Sequence, residues 1–131
     1  MSARSALILA TAAALIAGPA LALPGDQAHP IAVHFRPGTD SIQLTGELKQ
    51  NVDCCYYRIK AHAGQVLQWR FTGPAYRAVI TYPDGSAEGP GIPNAIPLDK
   101  DGVYILRFAP NLMADGAFGR FVLTITILAP K

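Results

Sequence analysis

After residue 30, apolar and polar positions alternate along the chain in short runs rich in β-branched and aromatic side chains. That period-two pattern marks strands with one buried and one solvated face. Ile31, Val33 and Phe35 share one face, with Ala32 and His34 on the other. Residues 41–49 follow, with Ile42, Leu44 and Leu48 apolar, and Gly46 among them predicts a bulge. Tyr57, Ile59 and Ala61 alternate with Arg58 and Lys60, and Leu67, Trp69 and Phe71 with Gln68 and Arg70. Residues 79–82, 103–108 and 121–128 complete the set. Turn chemistry separates these runs: Ala63-Gly64-Gln65, Pro83-Asp84-Gly85, Asp101-Gly102 and Asp115-Gly116. The stretch 85–97 carries three glycines and three prolines and reads as a loop. No stretch has helical apolar spacing. The pattern predicts an all-β fold, an antiparallel β-sandwich of seven or eight strands in one domain.

The beginning of the chain reads differently. A short basic start ending at Arg4 precedes an apolar run of small residues over 6–17, broken by Gly18-Pro19. Ala20-Leu21-Ala22 then gives the small-x-small pattern of a cleavage site. Residues 1–22 therefore read as a secretory signal peptide and 23–131 as the β-sandwich domain. The apolar run is too short to span about 30 Å of hydrocarbon, and no second one follows, so no membrane insertion is expected after cleavage. The expected location is periplasmic or secreted. Loss of 1–22 removes one basic residue and no acidic one, leaving ten basic and nine acidic. Such a balance, without a Lys/Arg-rich run, predicts no nucleic-acid partner and no polybasic membrane patch.

Candidate chemistry is sparse. His29, His34 and His62 have no obvious sequence partners, and neither Ser41 nor Ser86 sits in a nucleophile-elbow pattern. No constellation names a reaction, cofactor or metal, and no enzyme is expected. Cys54-Cys55 is the one unusual pair. Two thiols in an exported chain usually form one disulfide, but adjacent Cα atoms lie about 3.8 Å apart, closer than most bridges allow. A vicinal disulfide, two reduced or buried thiols, an intermolecular bridge, and a metal site with His62 all stay open. Leu112, Met113 and Phe118 stand in the 111–119 connection where polar residues are expected, which suggests either a protein contact or a cap on the sandwich.

Three blocks carry a family resemblance. Ile31-Ala32-Val33-His34-Phe35-Arg36-Pro37-Gly38, with Ser41 and Gly46-Glu47-Leu48-Lys49, resembles the start of the bacterial periplasmic inhibitors of g-type lysozyme. The spacing of Tyr57 to Gly64-Gln65 and the block Gly102-Val103-Tyr104-Ile105-Leu106-Arg107 continue the match. The resemblance implies a compact sandwich whose surface loops plug a lysozyme's substrate cleft, with a g-type lysozyme as partner. Related inhibitors carry a Ser-Gly-x-Tyr element, matched here by Asp101-Gly102-Val103-Tyr104 with aspartate in the serine's place. On this basis Tyr104 is the expected aromatic anchor and Gly102 the point of close backbone approach. Arg107 or Arg120 would meet acidic cleft residues, with Leu112, Met113 and Phe118 beside them. Because a lysozyme cleft contains a catalytic glutamic acid, Asp101 must accept backbone hydrogen bonds, pair with Arg107 or Lys100, or stay at the rim.

The Tyr57 and Asp-Gly-x-Tyr blocks also resemble pre-peptidase C-terminal-like β-sandwich modules. That alternative implies binding of carbohydrate or another envelope component, on an exposed aromatic platform of Trp69, Tyr76 or Tyr82. Trp69 shares its face with Leu67 and Phe71, so it is expected in the core. A redox or metal-handling role for Cys54 and Cys55 is a third reading. Oligomeric state is not legible.

Overall fold

The computed structural model describes residues 25–129, so the expected signal peptide lies outside the described residues. The alternating runs become nine strands: β1 (Ile31–Ala32), β2 (Ser41–Leu48), β3 (Tyr56–Ala61), β4 (Val66–Thr72), β5 (Tyr76–Thr81), β6 (Ala87–Glu88), β7 (Ala95–Pro97), β8 (Gly102–Pro110) and β9 (Gly119–Leu128). They form two sheets, β1-β3-β8-β5-β6 and β2-β9-β4-β7. All pairings are antiparallel except β1 with β3. This is the expected all-β sandwich.

Three expectations need correction. The strand count exceeds seven or eight because the 85–97 stretch contributes β6 and β7. Both are very short and lie at sheet edges, where proline is tolerated because its missing N–H can face away from the ladder. The run at 31–35 pairs as a strand only over Ile31–Ala32, although the Val33 N–H still donates to the Arg58 carbonyl at 2.9 Å. Gly46 is not a bulge. It pairs one-to-one with Phe121 in an unbroken β2–β9 register.

Gly46 has a different physical purpose. A Cβ there would lie 2.5 Å from Phe121 Cζ, so the missing side chain is the space that the ring fills. Phe121 stacks on Phe71 at 4.6 Å, and Phe71 on Phe108 of the opposite sheet at 5.2 Å. Tyr57 and Trp69 each meet Phe108 edge-on at 6.0 Å. Aromatic rings from both sheets thus interlock, each pair adding about 0.5–1.5 kcal/mol beyond its buried area. Around them pack Leu48, Ile59, Leu67, Ile80, Leu106, Leu123 and Ile125, all fully buried.

The Cys54–Cys55 pair forms a vicinal disulfide, and no cysteine among the described residues is free. Cys55 adopts φ +73°, a left-handed conformation rare for a non-glycine residue. The bend is held from both sides. The Cys55 carbonyl accepts from Phe108 N–H at 3.0 Å, and the Tyr56 N–H donates to Gly25 at 2.9 Å.

Replacing Gly46 with alanine should destabilise the fold by about 1–3 kcal/mol in denaturant melts, because the Phe121 ring is pinned by Phe71 and cannot retreat. Phe121→Leu in the same chain should recover part of that loss, a coupling that a simple helix- or strand-propensity effect would not show. Burial pushes the Tyr57 hydroxyl from 10.0 up to about 12. The native state then keeps a proton that the unfolded chain releases, so this contribution is complete below pH 10 and falls as pH rises toward 12. Tyr57→Phe should flatten the fall in denaturation midpoint across that window.

Candidate functional site

The connections of the sandwich gather at two ends. At the first end lie the β3–β4 turn, the β5–β6 turn and the segment 98–101 that leads into β8. At the second lie the 49–55 and 73–75 connections and the 111–118 loop. Strand β8 runs from one to the other, and eight steps of roughly 3.3 Å separate its ends by about 26 Å. The residues expected to form one surface are therefore divided. Asp101 and Gly102 lie at the first end, and Leu112, Met113 and Phe118 at the second.

The first end is tied together through Asp101. Its Oδ1 accepts the Ala63 N–H at 2.8 Å, joining the entry of β8 to the β3–β4 turn. That turn is closed in turn by Gln65, whose Oε1 accepts the His62 N–H at 2.7 Å. Of the options open to Asp101, the backbone amide is the one taken. His62 Nδ1 stands 3.8 Å from the same carboxylate. The Lys100 ammonium lies 3.7 Å from Asp99 and 3.8 Å from Asp84. Asp84 accepts from the Ser86 hydroxyl at 2.6 Å and its N–H at 3.0 Å, which holds its carboxyl below the usual carboxylate range. Tyr82 donates to Glu88, and burial together with that bond pushes its hydroxyl up to about 12.

Gly102 is required here for two reasons. Its φ of +140° disfavours any side chain, and a Cβ would lie 2.9 Å from Pro83. The turn at 83–85 therefore rests against the bare backbone at the mouth of β8. Sequence reasoning singled out Asp101 and Gly102 and weighed Lys100 as a partner of Asp101, but it missed the Ala63 amide that Asp101 takes and the Asp84 carboxylate that faces Lys100. The Pro83-Asp84-Gly85 turn signal was visible. Its proximity to Gly102 follows only from the β5–β8 pairing.

Tyr104 sits elsewhere than expected. Its ring is fully buried at 0% exposure, edge-on to Tyr82 at 5.8 Å. Its hydroxyl donates to the Lys100 carbonyl at 2.7 Å. The expected aromatic anchor is thus corrected to a tether, fixing the 98–101 segment from beneath because position 104 shares the inward face with Leu106 and Phe108. Arg107 is also engaged, 3.4 Å from Asp53 with its guanidinium over the Tyr56 ring at 5.1 Å. Arg120 lies on the outer side of the other sheet, opposite Glu47.

The second end is chemically unlike the first. Leu112 is 72% and Met113 88% exposed, and Phe118 is also exposed. Nearby, a cleft of about 690 Å³ is bordered by Val52, the Cys54–Cys55 disulfide, Tyr57 and Phe121. Trp69 is buried as expected, and Tyr76 packs on Phe71 at 4.3 Å, so neither offers an open platform. Among the described residues no three His, Cys, Asp or Glu side chains gather as a metal site.

No protein-family model and no curated protein sequence matches the chain. Its fold does have solved counterparts. The periplasmic g-type lysozyme inhibitor of Aeromonas hydrophila superposes with a TM-score of 0.62 at 21% identity, covering 74% of this chain and 94% of that one. The Salmonella Typhimurium inhibitor gives 0.56 at 18% identity, over 74% and 96%. A mutant of the Escherichia coli inhibitor gives 0.54 at 23%, also over 74% and 96%. The chain has the fold of these periplasmic g-type lysozyme inhibitors. The likeness read from the three sequence blocks and the likeness of the sandwich lead to the same proteins.

Removing the Asp101 carboxylate should loosen the first end without unfolding the core. In Asp101→Ala, amide exchange at Ala63 should accelerate, while exchange at Leu106 and Phe108 stays as in the parent chain.

Proposed function

We propose that this chain is a periplasmic inhibitor of g-type lysozyme that acts by binding and performs no catalysis. The observation that carries the reading is the shared fold, which accounts for nearly the whole length of three solved inhibitors of that enzyme. In this reading the first end enters the substrate cleft, with Asp101, Gly102, Ala63 and the 83–85 turn as its leading surface.

Several physical features support that choice of end. Its loops are cross-tied by Asp101, Gln65 and the Tyr104 hydroxyl before any partner arrives. Ordering costs on binding are correspondingly low. Asp84, Glu88, Asp99 and Asp101 give it a net acidic character, broken by Lys100 and by Lys60 opposite Val103, which suits the basic surface that many lysozymes present. One Asp101 oxygen is already committed to the Ala63 amide, which holds the carboxylate in place and partly offsets its charge. The exposed apolar tip at Leu112 and Met113 lies too far away to share this contact.

Purified g-, c- and i-type lysozymes assayed on cell-wall substrate with the protein test this directly. Inhibition of the g-type enzyme is expected, weakened at least tenfold by Asp101→Arg and unchanged by Met113→Asp. Absence of inhibition at micromolar protein would overturn the functional reading. Loss through Met113→Asp alone would move the contact to the second end.

A further inference from the structure

The two sheets have four edges, and three are blunt: β1 and β6 are two residues long, and β7 is three residues ending in Pro97. The fourth edge, β2, is an eight-residue strand with no neighbouring strand on its outer side among the described residues. Over Ser41–Thr45 it carries none of the usual guards. No proline, lysine or inward-pointing charge interrupts Ser41–Leu48, and its register with β9 is free of bulges.

The orientation of its free groups follows from one bond. The Ile127 N–H donates to the Asp40 carbonyl at 2.8 Å, so the even-numbered backbone groups face β9. Alternation then turns the N–H and C=O of Ser41, Gln43, Thr45 and Glu47 toward the open side. Beside them Ile42 and Leu44 are only half-buried, while their β9 partners Ile125 and Leu123 are fully buried. At one end of the strip the edge is stopped. The Cys54 and Cys55 sulfurs lie 3.6 and 3.9 Å from the Glu47 carbonyl and occupy its outward side.

We propose that β2 is a pairing edge through which two copies of this chain associate antiparallel about a two-fold axis, joining two four-stranded sheets into one of eight. The strip is self-complementary. With Gln43 on the axis, Ser41 pairs with Thr45 of the second copy and Ile42 lies beside its Leu44, giving six backbone hydrogen bonds. No like charges face each other within the 41–45 strip. The disulfide sets the register, because it leaves Ser41, Gln43 and Thr45 free and closes the edge at Glu47. This inference does not depend on the lysozyme reading.

Light scattering and sedimentation of the purified protein over a concentration series decide it. Because the strip is narrow, a weak dimer is expected, evident by about 100 µM. Gln43→Pro removes an outward N–H where proline is tolerated, and Gln43→Lys sets two ammonium groups opposite each other on the axis. Both variants should be monomeric at the same concentration, with melting curves showing that the sandwich is intact. Should the proline variant fail to fold, the lysine variant alone carries the comparison. A parent chain that stays monomeric to about 1 mM, or a dimer that a folded Gln43→Lys leaves intact, overturns the proposal.

Discussion

The Phe121 ring occupying the space left by Gly46 is the constraint on which the rest of the sandwich depends. It lets β2 lie directly against β9 and brings Phe121 onto Phe71, which in turn meets Phe108 across the two sheets. From Phe108 the packing spreads to Tyr57 and Trp69, and along β8 to Leu106 and Tyr104. The last of these carries the order of the core outward, since the Tyr104 hydroxyl holds the backbone of Lys100 just before Asp101. A continuous path of packed groups therefore connects the interior to the loops of one end.

The two ends divide the chemistry of the surface. One is polar, acidic and bound together by side chain to backbone hydrogen bonds. The other presents Leu112 and Met113 to solvent beside a cleft walled in part by the vicinal disulfide. Function placed on loops held by a rigid sandwich is an ordinary arrangement, and here the length of β8 makes it two-sided.

Much of the fold was legible in alternation alone: the inward faces of β3, β4, β8 and β9 are those the apolar pattern marks. Tyr104 was legible too, because its parity with Leu106 and Phe108 places it inside. Its motif context drew it toward a surface role instead. Gly46 was not resolvable from sequence. A strand glycine signals either a bulge or a close approach, and only the pairing with Phe121 separates the two. The split between Asp101 and Met113 required the span of β8, and the hydrogen bond from Ala63 to Asp101 required the β3–β8 pairing. Cys54 and Cys55 left several states open because adjacent Cα spacing alone does not choose among them. The left-handed backbone at Cys55 is what accommodates the bridge.

Amide hydrogen exchange of the chain alone and mixed with a g-type lysozyme tests the central claim most directly. Protection on mixing should appear across 62–65, 83–86 and 99–102, with 111–118 exchanging as in the free protein. Protection confined to 111–118, or no change anywhere at saturating lysozyme, would contradict the account.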